Sequence, residues 1–201
     1  MIAVVDYKAG NLTSVVKTLN FLGAKTLVTQ NPEVVRSASK VVLPGVGHFQ
    51  ATQLLSDLGL TEAVRESVAG GGWFLGICVG LQWLFEGSTE APGVAGLGEF
   101  AGVCERFPAR FEGAALKAPH VGWNSLEGVR DSRLLRGVED GGFVYYTHSW
   151  RAPVVGSTVA VTEYGGAFTA VVERENVMGV QFHPEKSSAV GLQVLRNFVE
   201  L

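Results

Sequence analysis

Cys78 stands in the string Gly76-Ile77-Cys78-Val79-Gly80, between an apolar run and a stretch with helical periodicity. This is the pattern of a nucleophile elbow with cysteine in place of serine. The glycines permit a strained turn with close backbone packing, the turn exposes the sulfur, and the N-terminus of the following helix favours a thiolate and a developing oxyanion. A lone cysteine is more often a buried structural residue, and Cys104, which lacks this setting, reads as one. Phe182-His183-Pro184-Glu185 supplies a partner. Proline biases His183 toward an extended conformation, so side chains 183 and 185 project to the same side and a carboxylate stands beside an imidazole. A thiol nucleophile needs a base, and the base works best when a third group fixes its tautomer. Taken alone, the triplet is a strand-to-loop turn with a solvated glutamate; beside a cysteine elbow it makes Cys78, His183 and Glu185 a candidate triad.

A third string, Pro44-Gly45-Val46-Gly47, follows the apolar Val41 to Leu43. Loops at the carboxyl ends of parallel strands form the ligand crevice of open α/β sheets. Glycines on both sides of Val46 let its peptide present an N–H, so Val46 and Gly47 are candidates for an oxyanion hole completed by the N–H of Val79. The GK[ST] ending of a phosphate loop is missing. His48 is expected in the helix after this loop, and His120 and His148 near aromatic-rich strands; all three read as hydrogen-bonded structural groups. Their spacing makes no metal site, and neither metal nor cofactor is expected.

The elements that must position these residues alternate. Ile2 to Val5, Thr26 to Thr29, Lys40 to Leu43 and Trp73 to Ile77 read as strands; helices are predicted from Asn11, from Pro32 to Ala38, around Thr61 to Ala69, and from Cys78 to near Gly87. Such alternation implies an α/β fold with a mostly parallel open sheet flanked by helices. Ser88 to Gly98 is rich in Gly and Pro and reads as a surface loop, after which the signal is more strand-like, with antiparallel strands expected in the C-terminal half. Val171 to Arg174 and Val177 to Phe182 look like a hairpin around Glu175-Asn176, followed by an amphipathic helix over Ala189 to Val199. One domain over 1–201 is expected.

Charged residues make up 17% and hydrophobic residues 47%, so part of the surface is expected to be apolar and a partner surface is plausible. A net charge of -3 offers no basic field for nucleic acid or anionic lipid. No apolar run is long enough to span a bilayer, and the start lacks a basic n-region and a cleavage site, so a cytoplasmic chain with two reduced thiols is expected.

The strings PGVG, GICVGLQ and FHPE, in this order and spacing over most of the chain, resemble the class I, or triad, glutamine amidotransferases. Within that family the chain is similar to the glutaminase branch that serves imidazole glycerol phosphate synthesis in histidine biosynthesis, on DYKAGN, PGVGHF, HVGWN and YTHSW. Lys8 departs from the usual DYGxGN, and Val79 and Leu81 stand where Leu and Met are commoner, without touching the chemistry. The resemblance implies hydrolysis of L-glutamine through a Cys78 thioester, with His183 moving the protons and Glu185 orienting it. It implies that Gln82 and the backbone around His148 and Ser149 hold the substrate amino acid. It also implies transfer of ammonia to a separate cyclase subunit with a (β/α)₈ barrel fold, in a heterodimer whose contacts lie near Asn11, Trp123, Tyr145 and Lys186. The plainer readings of those four are a helix cap, two core aromatics and a solvated lysine. A glutaminase of another pathway and a non-catalytic module of the same fold are the alternatives, and the elbow alone also leaves open a cysteine protease or an esterase-like hydrolase.

Overall fold

Short apolar runs with both faces covered make the sheet that carries every candidate loop. The computed structural model describes residues 1–8 and 12–201; Asn11, expected as a helix cap and partner contact, lies outside the described residues. In chain order the first half holds β1 (Ile2–Val5), α1 (Leu12–Phe21), β2 (Thr26–Thr29), α2 (Pro32–Ser37), β3 (Lys40–Gly45), α3 (Gln53–Asp57), α4 (Leu60–Ala69), β4 (Trp73–Cys78) and α5 (Val79–Trp83). The short strands β5 (Gly87–Ser88), β6 (Val103–Arg106), β7 (Arg110–Phe111) and β8 (Ala114–Ala115) follow. Then come β9 (His120–Ser125), β10 (Phe143–His148), β11 (Trp150–Arg151), β12 (Thr158–Glu163), β13 (Ala167–Arg174), β14 (Val177–Val180) and α6 (Ser188–Glu200).

Seven strands form one sheet in the order β12-β13-β14-β4-β3-β1-β2. The run from β14 to β2 is parallel, while β12 and β13 add antiparallel strands at one edge. This is the expected fold class. Burial explains the interior strands: β1 is buried at all four positions, and β4 from Phe74 onward. Local signals set several boundaries. Asn31 caps α2 by accepting from the Glu33 N–H at 2.9 Å, and Gly23 takes the positive φ of 86° that follows α1. The hairpin around Glu175-Asn176 is present, with Arg174 paired to Val177.

Four expectations are corrected. β3 continues through Pro44 and Gly45, because Gly45 pairs with Cys78 on β4. His48 is extended rather than helical and caps a 3-10 turn, its Nδ1 accepting from the Gln50 N–H at 3.1 Å. α3 follows that turn and was not expected. α5 ends at Trp83 instead of near Gly87, and Ser88 to Gly98 is not a mere surface loop: Ser88, Ala91 and Val94 are buried. One cause accounts for both. The loop donates Leu97 N–H to Trp83 O, Gly98 N–H to Phe85 O and Phe100 N–H to Leu84 O, satisfying carbonyls that a longer helix would use. Among the described residues no helix is long and apolar enough to cross a membrane.

Candidate active site

Crowding builds the elbow. Cys78 closes β4 at φ 56° and ψ −106°, a conformation that costs a non-glycine residue of order 1–3 kcal/mol. A Cβ on Gly76 would stand 2.4 Å from Gly80 O, and one on Gly80 would stand 2.0 Å from Leu43 O. The helix after Cys78 therefore lies directly against β4 and β3, and the chain must reverse sharply at the cysteine. At five residues, α5 is too short to supply the expected dipole in full. The charge of a thiolate must be held by side chains.

The two glycines that flank Val46 are not equivalent. A Cβ on Gly45 would lie 2.3 Å from the Tyr7 hydroxyl and 2.8 Å from Val79 Cβ, so this glycine is fixed by close approach. Gly47, at φ 101° with open space around it, is the hinge. The half-buried Val46 is thus held on one side and free on the other.

His183 leaves β14 in an extended conformation, and its N–H donates to Tyr145 O at 2.9 Å. Its Nδ1 meets Glu185 Oε1 at 2.9 Å, with both side chains buried. The expected adjacency is present, produced by a 3-10 turn over Pro184–Lys186 rather than by a continued strand. Burial pushes the His183 pKa down, while the negative sulfur of Cys78, contact with it, and Glu185 push it up; the upward causes prevail and bring it to about 10. Nε2 forms no full hydrogen bond among the described residues, so the sulfur acts on it mainly through charge. An imidazolium with Nδ1–H on Glu185 and Nε2–H unclaimed is ready to give a proton to an incoming atom.

A cavity of about 200 Å³ opens at Cys78. Gly47, Val79, Gln82, His148 and Ser149, five further residues singled out in the sequence, share its wall. Gln82 is more committed than expected: Nε2 donates to Trp150 O at 2.8 Å and to Gln181 Oε1 at 3.2 Å, which leaves only Oε1 for a ligand. His148 bonds Trp150 O through Nδ1 at 2.8 Å, so Nε2 accepts from His120 Nδ1 at 3.1 Å. Burial above all lowers both pKa values, to about 3 for His148 and about 4 for His120, and both rings are neutral. Tyr7 is fully buried with a hydroxyl that has no partner among the described residues, its pKa raised by burial and then by the charge on Cys78.

Sequence reasoning missed three groups. Glu90 lines the cavity from the Gly- and Pro-rich loop, its Oε2 accepting from the Phe49 N–H at 2.8 Å. Thr147 lines it from β10. Gln181, wholly buried, donates from Nε2 to Cys78 Sγ at 3.6 Å. An acidic residue in a turn-rich loop carries no signal of its own; Gln181 stood beside FHPE and could have been found as the one polar side chain in a buried run.

Of the expected partner contacts, Trp123 and Tyr145 pair across β9 and β10 with ring centroids 6.0 Å apart, and Lys186 is exposed in the turn after His183. Trp123 is 52% exposed and is not a core aromatic. Val121 and Phe143 are likewise exposed on this hairpin.

The pattern of the family described as glutamine amidotransferase class-I matches residues 3–201. "Imidazole glycerol phosphate synthase subunit HisH" of Methanothermobacter thermautotrophicus is 46% identical over 202 residues, covering 100% of this chain and 98% of the relative. The protein of the same name from Chlorobium luteolum is 42% identical over 204 residues, covering 100% of both. A solved structure described as a glutamine amidotransferase superposes with a TM-score of 0.76 at 20% identity, covering 100% of this chain and 98% of that one, and so shares the fold. The chain belongs to the class-I glutamine amidotransferase family.

Proposed function

We propose that this chain is the glutaminase subunit of an imidazole glycerol phosphate synthase, releasing ammonia from L-glutamine at Cys78 for a cyclase partner of (β/α)₈ fold. The observation that carries the chemistry is Cys78 on a strained elbow, in the wall of a small cavity, with the buried His183–Glu185 pair at 2.9 Å. The thiolate attacks the side-chain carboxamide carbon, and the carbonyl oxygen becomes an oxyanion facing N–H groups of the Gly47 loop and Val79. His183 gives its Nε2 proton to the departing nitrogen, the C–N bond breaks, and ammonia leaves behind a glutamyl thioester. Acylation removes the negative sulfur that raised the His183 pKa, so the ring now accepts a proton from water. Hydroxide adds to the thioester, the C–S bond breaks, and glutamate leaves with Cys78 and His183 restored. Glu90 suits the substrate's ammonium group, and Gln82 Oε1 a second donor on the same amino acid.

The partner reading is supported by the hairpin. Val121, Trp123 and Tyr145 lie on one face of the β9–β10 pair, and so does Thr147, which lines the cavity. A partner docked on this apolar face would cover the mouth from which ammonia departs. Tyr145 O also holds the His183 N–H, and Gly47 leaves one side of the Val46 peptide free, so docking can adjust both base and oxyanion loop. Glutaminase rates for the free chain, the complex, and the complex with a cyclase substrate analogue test the coupling. A rise of roughly 10² to 10³, the worth of one oxyanion donor, is expected on docking and loading; equal rates in all three would sink it.

A further inference from the structure

One main-chain carbonyl and two side-chain amides decide which end of Gln181 faces the nucleophile. Trp150 O can only accept, so the Gln82 atom 2.8 Å away is its nitrogen. That nitrogen has a second hydrogen, directed 3.2 Å to Gln181, so the Gln181 atom facing it is the oxygen. Gln181 Nε2 is therefore the atom 3.6 Å from Cys78 Sγ, an ordinary N–H···S distance. Turning either amide end for end would set an oxygen against an oxygen or a nitrogen against a nitrogen, so the order is fixed by chemistry. Trp150 O is itself pinned, taking His148 Nδ1–H at 2.8 Å as its second donor. The side chains of His148, Gln82 and Gln181 are all buried, which holds the row in place.

We propose that Gln181 is a further catalytic residue of the glutaminase reaction, donating a hydrogen bond from Nε2 to the sulfur of Cys78 and so stabilising the thiolate. This rests on the reading of Cys78 as nucleophile. A hydrogen bond to a charged group in a buried site is stronger than one to its neutral form, so the donor favours the thiolate over the thiol, and over the thioester, where the sulfur's electron pair is shared in the bond to carbon. It also compensates for α5, whose five residues give a weak dipole. The fixed orientation has a second use: Gln181 is a glutamine side chain beside a group that attacks glutamine side chains, and it presents nitrogen rather than its carboxamide carbon.

The test separates donation to sulfur from simple support of Gln82. Gln181→Glu keeps an acceptor for Gln82 Nε2 and removes the donor to Sγ; Gln181→Met removes both without adding charge. Alkylation of Cys78 by iodoacetamide is followed against pH on the full chain, with the modified cysteine identified by mass. Both variants are expected to move the midpoint up by about one unit or more, with a matching upward shift in the pH profile of glutaminase activity in the complex. A parental midpoint in either variant overturns the proposal: in Gln181→Glu it assigns Gln181 to supporting Gln82, and in Gln181→Met it assigns any shift to the added charge. If the variants lose the parental thermal transition, the unaltered chain decides. With ¹⁵N-labelled glutamine, the Gln181 side-chain amide resonances must follow the Cys78 titration, and flat resonances overturn the proposal. Failure of the underlying reading looks different: Cys78 would be fully alkylated with glutaminase activity intact.

Discussion

Cys78 and Cys104 are equally hidden, at 3% and 0% exposure, yet they sit in opposite chemical settings. Burial pushes the Cys104 thiol far up, and its one polar contact among the described residues is a weak donation from Sγ to the Gln82 main-chain oxygen at 3.7 Å. Cys78 faces a charged histidine and a donor amide, and it stands at a strained backbone position that turns it into a cavity. Both cysteines lean on Gln82, one through its backbone and the other through its side chain by way of Gln181. Reactivity here follows from neighbours that respond to the sulfur's charge, because burial alone raises a thiol's pKa.

The largest break in that contrast comes from removing the responsive groups. Cys78→Ala and His183→Ala are each expected to lower glutaminase activity by at least about 10³-fold with the fold retained, since a covalent route loses its nucleophile or its proton carrier. Glu185→Gln is expected to be roughly one to two orders milder, because it still accepts or donates one bond to Nδ1. Synthase activity with added ammonia should survive all three in the complex. Activity of Cys78→Ala near the parental rate would remove the nucleophile assignment.

The next effect is on shape. Gly80→Ala drives a methyl to within 2.0 Å of Leu43 O, a backbone atom that cannot swing away, so the elbow or β3 must move. A destabilisation of about 3 kcal/mol or more is expected, seen as a lowered Tm together with lost glutaminase activity. Gly47→Ala meets no atom within 4 Å and carries only the strain of its positive φ; it should be the milder of the two by thermal melting. Equal melting losses would contradict the division into a locked elbow and a free hinge.

That division marks the limit of what the sequence reveals. The elbow was legible because strand, two glycines and cysteine are consecutive, and FHPE because neighbours in sequence need little tertiary information to meet. Four of the five parallel strands were legible from short apolar runs separated by helical periodicity, while β14 showed in the sequence only as one arm of a hairpin. Gly45 and Gly47 look alike in a string, but one is held by Tyr7, whose approach is a tertiary fact. The length of α5 was misread because its end is set by donors from Leu97 and Phe100, beyond any helix-stop signal near Gly87. Gln82 was placed at the substrate by resemblance; that both its amide hydrogens are spent inside the protein follows only from where Trp150 and Gln181 fold.

A subtler test reads the sulfur's charge from across the site. In the parent chain the His183 ring keeps its proton up to about pH 10. Burial opposes that charge, and of the groups favouring it Cys78→Ala leaves only Glu185. The midpoint must therefore fall, by roughly 1 to 3 units for loss of one close opposite charge, and NMR titration of the ring measures it. An unchanged midpoint would mean that the sulfur is not what holds the proton, and the proposed fall in His183 basicity on acylation would go with it.

The smallest effect belongs to the other cysteine. Cys104→Ala removes a sulfur that touches the nucleophile's network only through the main chain of Gln82, and Gln82 O keeps a second donor, the Phe85 N–H at 3.1 Å. No polar group is stranded, so the cost is the lost packing of one small buried side chain, about 1 kcal/mol. Glutaminase activity in the complex is expected to stay within about twofold, because neither Gln82 Nε2 nor Gln181 moves when a contact to a helix carbonyl is lost. The pH midpoint for alkylation of Cys78 should stay at its parental value, in contrast to the upward shift expected when Gln181 is changed. A shifted midpoint in Cys104→Ala would show that the two thiols are coupled through α5, and the separation between a responsive and an inert cysteine would have to be abandoned.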